Sequence, residues 1–173
     1  MRRRELLRIA LSSMVGVSDN ARVAEALTGL ACEFLAGILS LARTPEDGIE
    51  FAIIAMGRFG GGELSFGSDL DVVYVFRDNG AGANASQVAA EIVKNITLLS
   101  EDVLFPVDLD AGLRPEGKNG PLVRSLEAFS QYYQRWALGW EAQALLRAAS
   151  CVGEESLQDD FLEMAAPYRY PVS

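Results

Sequence analysis

The sequence predicts an α+β protein in which a helical hairpin precedes a small mixed sheet with flanking helices. Three observations lead to this fold class. Apolar residues recur at helical spacing over residues 6–41, they then form short continuous runs on either side of a glycine-rich loop, and helical spacing returns after residue 125. With 173 residues, 50% of them hydrophobic and 23% charged, the chain has the length and composition of a globular domain.

The N-terminal part is predicted to form a helical hairpin. Residues 6–15 carry apolar positions at helical spacing, which indicates a first helix. Ser18 or Asp19 is the expected N-cap of a second helix, and Pro45 lies just past its expected end. We therefore expect an N-terminal helical segment over residues 1–45 and a catalytic unit with C-terminal helices over residues 46–173. The second helix should bury Val23, Ala26, Leu27, Leu30, Phe34, Ile38 and Leu41.

Three strands are predicted after the hairpin. Residues 51–56 and 70–76 are short apolar runs typical of buried strands, and residues 105–111 are a third candidate. Residues 77–86 are rich in turn-forming residues, and Ser86 is the expected cap of a helix that ends near residue 100. The inward positions of this helix should be Val88, Ile92, Ile96 and Leu99.

The C-terminal part is predicted to be mostly helical. Residues 113–121 contain prolines and glycines that exclude regular structure. Ser125 is expected to begin one long helix, and a short helix after Gly153 should stop at Pro167. The long helix should be lined by Phe129, Tyr132, Tyr133, Trp136, Trp140 and Leu145.

Charge and residue usage exclude several classes of function. A formal net charge of −9 disfavours binding to nucleic acid or to anionic membranes, so neither is an expected partner. The sequence has no histidine, which excludes Ser-His and Cys-His catalysis and histidine-bound metals within this chain. Cys32 and Cys151 are far apart and lack metal-like spacing, so we expect small buried residues of a reduced cytoplasmic protein. No apolar run is predicted to be long enough to span a membrane.

Asp69 and Asp71 stand at the start of an apolar run, where an unpaired charge is disfavoured. Because residues i and i+2 of a strand point to the same face, the two carboxylates would project together, with Cα atoms roughly 6.6 Å apart. Such a pair can bind one cation or bridge two, and oxygen ligands favour Mg²⁺, Mn²⁺ or Ca²⁺. The alternative is that Asp69 caps a turn and Asp71 is a solvated edge residue.

The loop before these aspartates contains Gly57, Gly60 and Gly61 and ends with Ser68. Glycine lets backbone N–H groups approach an anion closely, and a serine hydroxyl can add a hydrogen bond. The loop matches neither the Walker nor the Rossmann pattern, and a purely structural glycine turn is the alternative. A phosphate-binding loop beside paired carboxylates would describe a site for a nucleoside triphosphate and its metal ion.

A metal site of this kind needs a third carboxylate, and the third predicted strand offers two candidates. Asp108 and Asp110 share one face of that strand, so spacing alone does not choose between them. Arg114 and Lys118 follow closely and could bind phosphate, with Arg114 doing so in bidentate fashion. The alternative for both is ordinary surface charge.

Three segments carry a resemblance to a known family. The Gly-Ser loop that ends in SDLD, followed by a later aspartate, is similar to the nucleotidyltransferase fold of the DNA polymerase β superfamily. The segments MGRFGGGELSFGSDLDVVYVF, LRPEGKNGPLVRS and WEAQALLRA resemble the glutamine synthetase adenylyltransferase family, and the similarity covers nearly the whole chain. Members of that family carry two such catalytic domains in one long chain. One domain attaches AMP from ATP to a tyrosine of glutamine synthetase, and the other removes it by phosphorolysis, under the control of glutamine and a PII-type signal protein.

The resemblance implies that this chain is one catalytic domain of a longer cytoplasmic enzyme, with ATP as substrate and Mg²⁺ or Mn²⁺ as cofactor. It assigns Asp69 and Asp71 to the metal and favours Asp110, three positions before Leu113, as the third ligand. WEAQALLRA is closer to the adenylylating half, so we expect AMP transfer to glutamine synthetase, with a PII-type protein acting through the full-length enzyme. The alternatives are the deadenylylating half and a nucleotide-sensing domain without turnover. The residues expected at the nucleotide are Gly57, Gly60, Gly61, Ser68, Arg114 and Lys118.

Overall fold

A computed structural model describes residues 2–44, 46–101, 106–136 and 138–169. These residues form a five-stranded mixed sheet with helices on both of its faces. The strands are β1 (Ile49–Ala55), β2 (Leu70–Asp78), β3 (Leu109–Asp110), β4 (Val123–Ser125) and β5 (Ala149–Gly153). The helices are α1 (Arg2–Met14), α2 (Asn20–Ala42), α3 (Gly57–Gly60), α4 (Ala85–Ser100), α5 (Leu126–Arg135), α6 (Gly139–Leu145) and α7 (Glu155–Arg169).

Strand β2 has the largest number of neighbours in the sheet. The strand order is β3-β2-β1-β5, and β4 also pairs with β2. β1 is antiparallel to both β2 and β5, whereas β2 is parallel to both β3 and β4. β3 pairs with the start of β2, where Leu70 lies opposite Leu109, and β4 pairs with its end, where Tyr74 lies opposite Val123. The start of β2 and the short strand β3 are therefore side by side at one edge of the sheet.

The central strands are buried on both faces. Phe51, Ile53 and Tyr74 pack with α1, α2 and α4 on one face of the sheet. Ala52 and Ile54 pack with α5, α6 and α7 on the other face. Because helices cover both faces, the strand runs are continuously apolar instead of alternating between apolar and polar residues.

The predicted α+β class is confirmed, with its small mixed sheet, flanking helices and N-terminal helical hairpin, and it is consistent with a nucleotidyltransferase-like fold. Asp19 is the N-cap of α2, and its carboxylate accepts a hydrogen bond from the Arg22 N–H at 2.9 Å. Leu41 was predicted to face inward, but its side chain is 75% exposed. The inward face at this end of α2 runs through residues 35, 38, 39 and 42, one position out of phase with the predicted stripe. The division at residue 45 stays a prediction.

Helix α2 corrects the expectation that no segment could span a membrane. Among the described helices it is the one that meets the length and composition requirement, with 23 residues and a mean hydropathy of 1.5. Its residues Val23, Leu27 and Ile38 pack into the core on the α1, α2 and α4 face of the sheet. Burial of an apolar stripe in this way is also typical of a core helix, which passes the same requirement.

The helix after β2 begins earlier than predicted. Its N-cap is Asn84, without a side-chain hydrogen bond, so the prediction of Ser86 as the cap was wrong. A 3-10 turn over Gly82–Asn84 leads directly into α4, so the chain is already helical before Ser86. Leu99 was predicted to be buried but is 43% exposed. The inward position belongs to Ser100, whose hydroxyl donates to the carbonyl of Ile96 at 2.7 Å.

The third strand is shorter than predicted, and two strands were missed. Of the predicted residues 105–111, Leu109 and Asp110 are in β3, while Phe105 lies outside the described residues. Residues 113–121 are irregular as predicted, apart from a 3-10 turn over Gly117–Asn119. β4 and β5 contain small and polar residues, so neither shows the apolar run that marked β1 and β2.

The long C-terminal helix is divided in two. Ser125 caps α5 as predicted, accepting a hydrogen bond from the Ala128 N–H at 3.1 Å. However, α5 ends at Arg135 and α6 begins at Gly139, and the side chains of Trp136 and Trp140 are 70% and 43% exposed instead of lining one helix. The predicted stop at Pro167 was also wrong, because α7 continues to Arg169. A proline this close to a helix end removes only one backbone hydrogen bond, from a turn that frays in any case.

Candidate metal and nucleotide site

Pairing between β2 and β3 brings three aspartates together. Asp71 lies directly opposite Asp110 in the parallel register of these strands, and Asp69 immediately precedes β2. One carboxylate oxygen from each of these residues lies within 4.8 Å of the other two. We call Asp69, Asp71 and Asp110 the aspartate group. Among the described residues, it is the one set of three or more such ligand side chains that converge.

Of the two candidates for a third carboxylate, the structure brings Asp110 to the pair. The Asp108 side chain is exposed and lies outside the aspartate group. Its backbone carbonyl accepts a hydrogen bond from the Leu70 N–H at 2.8 Å, which aligns the chain just before β3. The Asp110 carboxylate accepts a hydrogen bond from the Gly112 N–H at 2.7 Å, and a Cβ at Gly112 would lie 2.9 Å from the same oxygen. Gly112 therefore lets the chain turn closely around Asp110.

The aspartate group is a concentration of negative charge that its surroundings compensate only in part. Burial raises the pKa of Asp71, and the charges of Asp69 and Asp110 raise it further. The backbone N–H and the guanidinium of Arg58 oppose this effect in part. The environment therefore disfavours the ionised form of Asp71 until further positive charge is supplied, as a divalent cation would do.

Gly57 is required by its contact with Asp71. It has a φ of +50°, and a Cβ at this position would lie 2.2 Å from Oδ2 of Asp71. Next to it, the Met56 N–H donates to the backbone carbonyl of Asp71 at 2.8 Å. A residue with a side chain would be strained in this conformation and would displace the carboxylate. The glycine thus brings the end of β1 against a member of the aspartate group.

The N–H groups of Gly60 and Gly61 are already engaged. They donate to the carbonyl oxygens of Met56 and Gly57 at 2.7 and 3.1 Å, closing the single turn of α3. A Cβ at Gly60 would lie 1.9 Å from the carbonyl oxygen of Arg147, so this glycine allows the chain before β5 to approach. Donation by either amide to a phosphate would compete with these bonds. Phosphate contact at Gly57, Gly60 and Gly61 stays a prediction. The close contacts of Gly57 and Gly60 already give a structural reason for glycine at those two positions.

Ser68 closes the turn that leads into the aspartate group. Its hydroxyl oxygen accepts a hydrogen bond from the Ser65 N–H at 3.0 Å and lies 3.1 Å from the Ser65 hydroxyl. The Arg58 guanidinium donates a hydrogen bond to the Ser65 hydroxyl at 2.9 Å. Sequence analysis missed Arg58, although it stands inside the glycine-rich segment. Its backbone and side chain link Asp71 to the turn containing Ser68, immediately before Asp69.

Arg114 and Lys118 occupy different environments in the 111–120 loop, which lies between β3 and β4. The guanidinium of Arg114 donates to the backbone carbonyls of Ala111, Lys118 and Gly120 at distances between 2.8 and 3.3 Å. These bonds hold the loop in shape. Lys118 is exposed, and its ammonium is at the surface of the same loop. Phosphate binding by either residue stays a prediction, and Lys118 has the more accessible charge.

Glu141 anchors this loop to the helices and was missed by sequence analysis. Its side chain is fully buried. It accepts hydrogen bonds from the Glu116 N–H at 2.9 Å, the Tyr132 hydroxyl at 2.9 Å and the Leu138 N–H at 2.7 Å. Burial and the bond to Glu141 raise the pKa of Tyr132. The signal in the sequence was a glutamate within the WEAQALLRA helix segment, where a charge needs partners if it is buried.

Glu116 is the residue through which Glu141 holds the 111–120 loop. It has a φ of +65°, which is uncommon for a residue with a side chain. Its N–H bonds to Glu141, and its carboxylate forms an ion pair with Arg124. The Arg124 guanidinium also lies over the Tyr132 ring, 5.2 Å from its centroid. The loop that carries Arg114 and Lys118 is thus held from both sides, directly after Asp110.

A cavity of about 650 Å³ adjoins the site on the opposite side of β2. Leu70, which lines it, points away from the face of Asp69 and Asp71. Its walls come from α1, α2, residues 64–68 and residues 106–108, and they include Phe34 and Ser68. The cavity and the aspartate group therefore share the turn before β2.

The residues present fit a divalent cation. Three converging carboxylates offer oxygen ligands, which suit Mg²⁺ or Mn²⁺, and the raised pKa of Asp71 reflects charge that such an ion would neutralise. A cation held there could in turn bind phosphate oxygens. The arrangement is chemically suited to phosphoryl or nucleotidyl transfer, in which negative charge must be stabilised.

Comparison with known proteins identifies the family of the chain. The family model for glutamate-ammonia ligase adenylyltransferase matches residues 1–164. The chain is 51% identical to the bifunctional glutamine synthetase adenylyltransferase/adenylyl-removing enzyme of Leifsonia xyli subsp. xyli, covering 100% of this chain and 18% of that protein. The proteins of the same name from Mycobacterium avium and Streptomyces coelicolor are 41% and 40% identical, over 99% of this chain and 18% and 19% of their own lengths.

The chain thus spans less than a fifth of the length of these relatives. The family match includes the strands that carry the aspartate group, the 111–120 loop and Glu141. The resemblance seen in the sequence motifs is confirmed, and the chain belongs to the glutamate-ammonia ligase adenylyltransferase family.

Proposed function

We propose that this domain transfers AMP from ATP to a tyrosine hydroxyl of glutamine synthetase, using Mg²⁺ held by the aspartate group. The observation that carries the proposal is the convergence of three carboxylate oxygens within 4.8 Å beside a glycine-rich turn. The relatives are named both for adenylyl transfer to glutamine synthetase and for adenylyl removal. The WEAQALLRA segment, which contains Glu141, supports the transfer direction through its resemblance to the adenylylating half of the family.

In the proposed reaction the tyrosine oxygen attacks the α-phosphorus of ATP. The bond between that phosphorus and the bridging oxygen to the β-phosphate breaks, so pyrophosphate leaves and the tyrosyl proton is released. Bound Mg²⁺ would supply positive charge to the phosphate oxygens. Asp69, Asp71 and Asp110 would hold the ion, while Gly57 and Arg58 keep Asp71 in place.

The remaining residues bind and orient the nucleotide. Ser68, which directly precedes Asp69 in the chain, contributes its hydroxyl, and Lys118 contributes an exposed ammonium from the 111–120 loop. Arg114 and Glu141 keep that loop in a single shape through hydrogen bonds. Because a preorganised site loses little free energy in reordering during the reaction, these bonds favour transfer without touching the reacting atoms.

The proposal is tested by incubating the chain with ATP labelled at the α-phosphate, Mg²⁺ and unmodified glutamine synthetase. We expect the label to become attached to a tyrosine of glutamine synthetase and to depend on Mg²⁺. The matched control for the metal ligands is Asp159→Asn, because Asp159 is an exposed aspartate on α7. Label transfer by Asp69→Asn at the wild-type rate would refute the assignment of the metal site.

The second candidate is the reverse process, in which phosphate attacks an adenylylated tyrosine and releases ADP. The two-part name of the relatives makes it a candidate, since a chain spanning less than a fifth of their length can correspond to either activity. Supplying phosphate and adenylylated glutamine synthetase tests it directly. Release of ADP without any modification of the bare enzyme would assign the chain to removal, whereas nucleotide binding without either reaction would make it a sensing domain. A role for a PII-type protein is proposed only for the full-length enzyme.

A further inference from the structure

The two cysteines of the chain meet in the fold. Cys32 and Cys151 are 119 positions apart in the sequence, yet their Sγ atoms lie 3.3 Å apart, with one thiol able to donate to the other. Cys32 is on α2 and Cys151 is on β5, the edge strand of the sheet beside β1. Both side chains pack against the core on this face of the sheet while remaining partly accessible. This contact lies outside the aspartate group.

The contact makes the two thiols chemically unequal. The hydrogen bond from Cys151 lowers the pKa of Cys32, although burial and the nearby charge of Glu33 act in the opposite direction. The bond to Cys32 and burial raise the pKa of Cys151. Because the thiolate is the nucleophilic form, we expect Cys32 to react first with an electrophile, and the Cys151 sulfur, 3.3 Å away, is positioned to attack the product.

Metal binding is a poorer explanation of the pair. Within the part of the chain that the structure describes, neither cysteine belongs to a group of three or more converging Cys, His, Asp or Glu ligands. A structural zinc ion normally has four protein ligands, so two thiolates alone would bind it incompletely. A disulfide requires only these two residues. Its formation from the present separation needs the sulfur atoms to approach by about 1.3 Å, to a bond length of about 2.05 Å.

We propose that Cys32 and Cys151 form a reversible disulfide when the protein meets a hydroperoxide. The Cys32 thiolate attacks an oxygen of hydrogen peroxide, the O–O bond breaks, and Cys32 sulfenic acid forms with loss of hydroxide, which takes up a proton to become water. Cys151 then attacks the Cys32 sulfur, the S–S bond forms, and the S–O bond breaks to release a second water. In total, two thiols lose two electrons and two protons, and one peroxide is reduced to two waters.

The bond would join the helical hairpin to the edge of the sheet. Without it, α2 is held to β5 at this point by packing and the thiol–thiol hydrogen bond, whereas the disulfide would close a loop of more than a hundred residues. Long closed loops gain the most stability from a disulfide, because the bond restricts the unfolded chain more severely. Since α2 also lines the cavity beside Ser68, oxidation would restrain one wall of that cavity.

The reduced chain is treated with a small excess of hydrogen peroxide and analysed by mass spectrometry under non-reducing conditions. We expect a loss of about 2 Da, a cross-linked peptide pair containing Cys32 and Cys151, and reversal by dithiothreitol. The oxidised monomer should melt at least roughly 5 °C higher than the reduced monomer. Cys151→Ser should instead retain a sulfenic acid on Cys32 that dimedone captures.

The wild-type peptide map decides the question even if a cysteine variant folds poorly. Disulfide-linked dimers in place of the internal bond would overturn the proposal. Oxidation of Cys32 to sulfinic acid without a cross-link would overturn it as well. An internal disulfide that lowers the melting temperature would show that the folded protein is strained by the bond, and would refute its assignment as a native modification site.

Discussion

Glu141 and the aspartate group hold carboxylates in opposite circumstances. Glu141 is fully buried, and its two oxygens accept three hydrogen bonds from backbone N–H groups and a tyrosine hydroxyl. The aspartate group lies at the edge of the sheet, and its carboxylates face one another, with the pKa of Asp71 raised as a result of burial and of its neighbours. The carboxylate of Glu141 is thus satisfied by hydrogen-bond donors, whereas the aspartate group carries an excess of negative charge.

The difference indicates a structural role for Glu141 and supports the functional role proposed for the aspartate group. A buried carboxylate is tolerated when the protein satisfies it, and Glu141 then stabilises the loop that it holds. Carboxylates that repel each other reduce stability unless a cation joins them, so their convergence requires a reason beyond folding. Substitutions in the two regions should therefore have different consequences: loss of activity at the aspartate group and loss of stability at Glu141.

The largest effect is expected for Asp71→Asn. Transfer of AMP should fall by roughly a thousandfold or more, because a proposed ligand of the ion that would stabilise the phosphate charge is lost. The metal-free variant should unfold at the same or a higher denaturant concentration than wild type, since repulsion within the aspartate group is relieved. Radiolabel transfer and chemical denaturation without metal measure the two quantities. Asp159→Asn is the control, and a large drop in stability of Asp71→Asn would place Asp71 with Glu141 as a structural residue.

The next effect distinguishes the two candidates for the third carboxylate. Asp110→Asn should lower the transfer rate by orders of magnitude while keeping affinity for MgATP within roughly tenfold, about 1.4 kcal/mol. Asp108→Asn should change the rate far less, because Asp108 lies outside the aspartate group. Single-turnover kinetics measure the transfer rate, and nucleotide titration measures the affinity for MgATP. The reverse ranking would mean that the β2–β3 register differs from the pairing of Asp71 with Asp110.

Glu141→Gln should lower the free energy of unfolding by about 1–3 kcal/mol, because its amide group would face an N–H donor and leave one bond unmade. The measurement is equilibrium denaturation in urea. Glu163→Gln is the matched control, since Glu163 is exposed on α7 and should change stability by no more than about 0.5 kcal/mol. If both variants were equally stable, the hydrogen bonds of Glu141 would contribute nothing measurable to the fold.

A smaller effect is expected at Asp47, whose charge is paired. Burial opposes ionisation, but hydrogen bonds from Arg43 and from the Ile49 N–H lower the pKa of Asp47 below its ordinary value of 3.8. The contribution to stability is therefore complete above the unfolded-state pKa and is lost as the pH falls through the lower folded-state value. Asp47→Asn should cost about 1 kcal/mol at neutral pH. This difference from wild type should shrink in acid, and a pH-independent difference in urea midpoints would contradict the pairing.

Much of the fold was predictable because its signals are local. Short apolar runs marked β1 and β2, and Asp19 and Ser125 proved to be N-caps. The missed strands β4 and β5 have no such signal, because their pairing with β2 and β1 depends on distant residues. The break between α5 and α6 was missed for a similar reason: Gly139 alone is a weak interruption, and Glu141 needs donors from the 111–120 loop to hold the turn.

The sequence by itself determined the fold class, the family and the proximity of Asp69 to Asp71, because helical and strand periods and short motifs are properties of neighbouring residues. The tertiary structure brought Asp110, and not Asp108, to this pair through the register of β2 against β3, where strand spacing had left both open and only the family resemblance had favoured Asp110. It alone also brought Cys32 to Cys151 and supplied the donors of Glu141. These contacts join residues far apart in the chain, and their partners are set by how strands and helices pack, which no local pattern specifies.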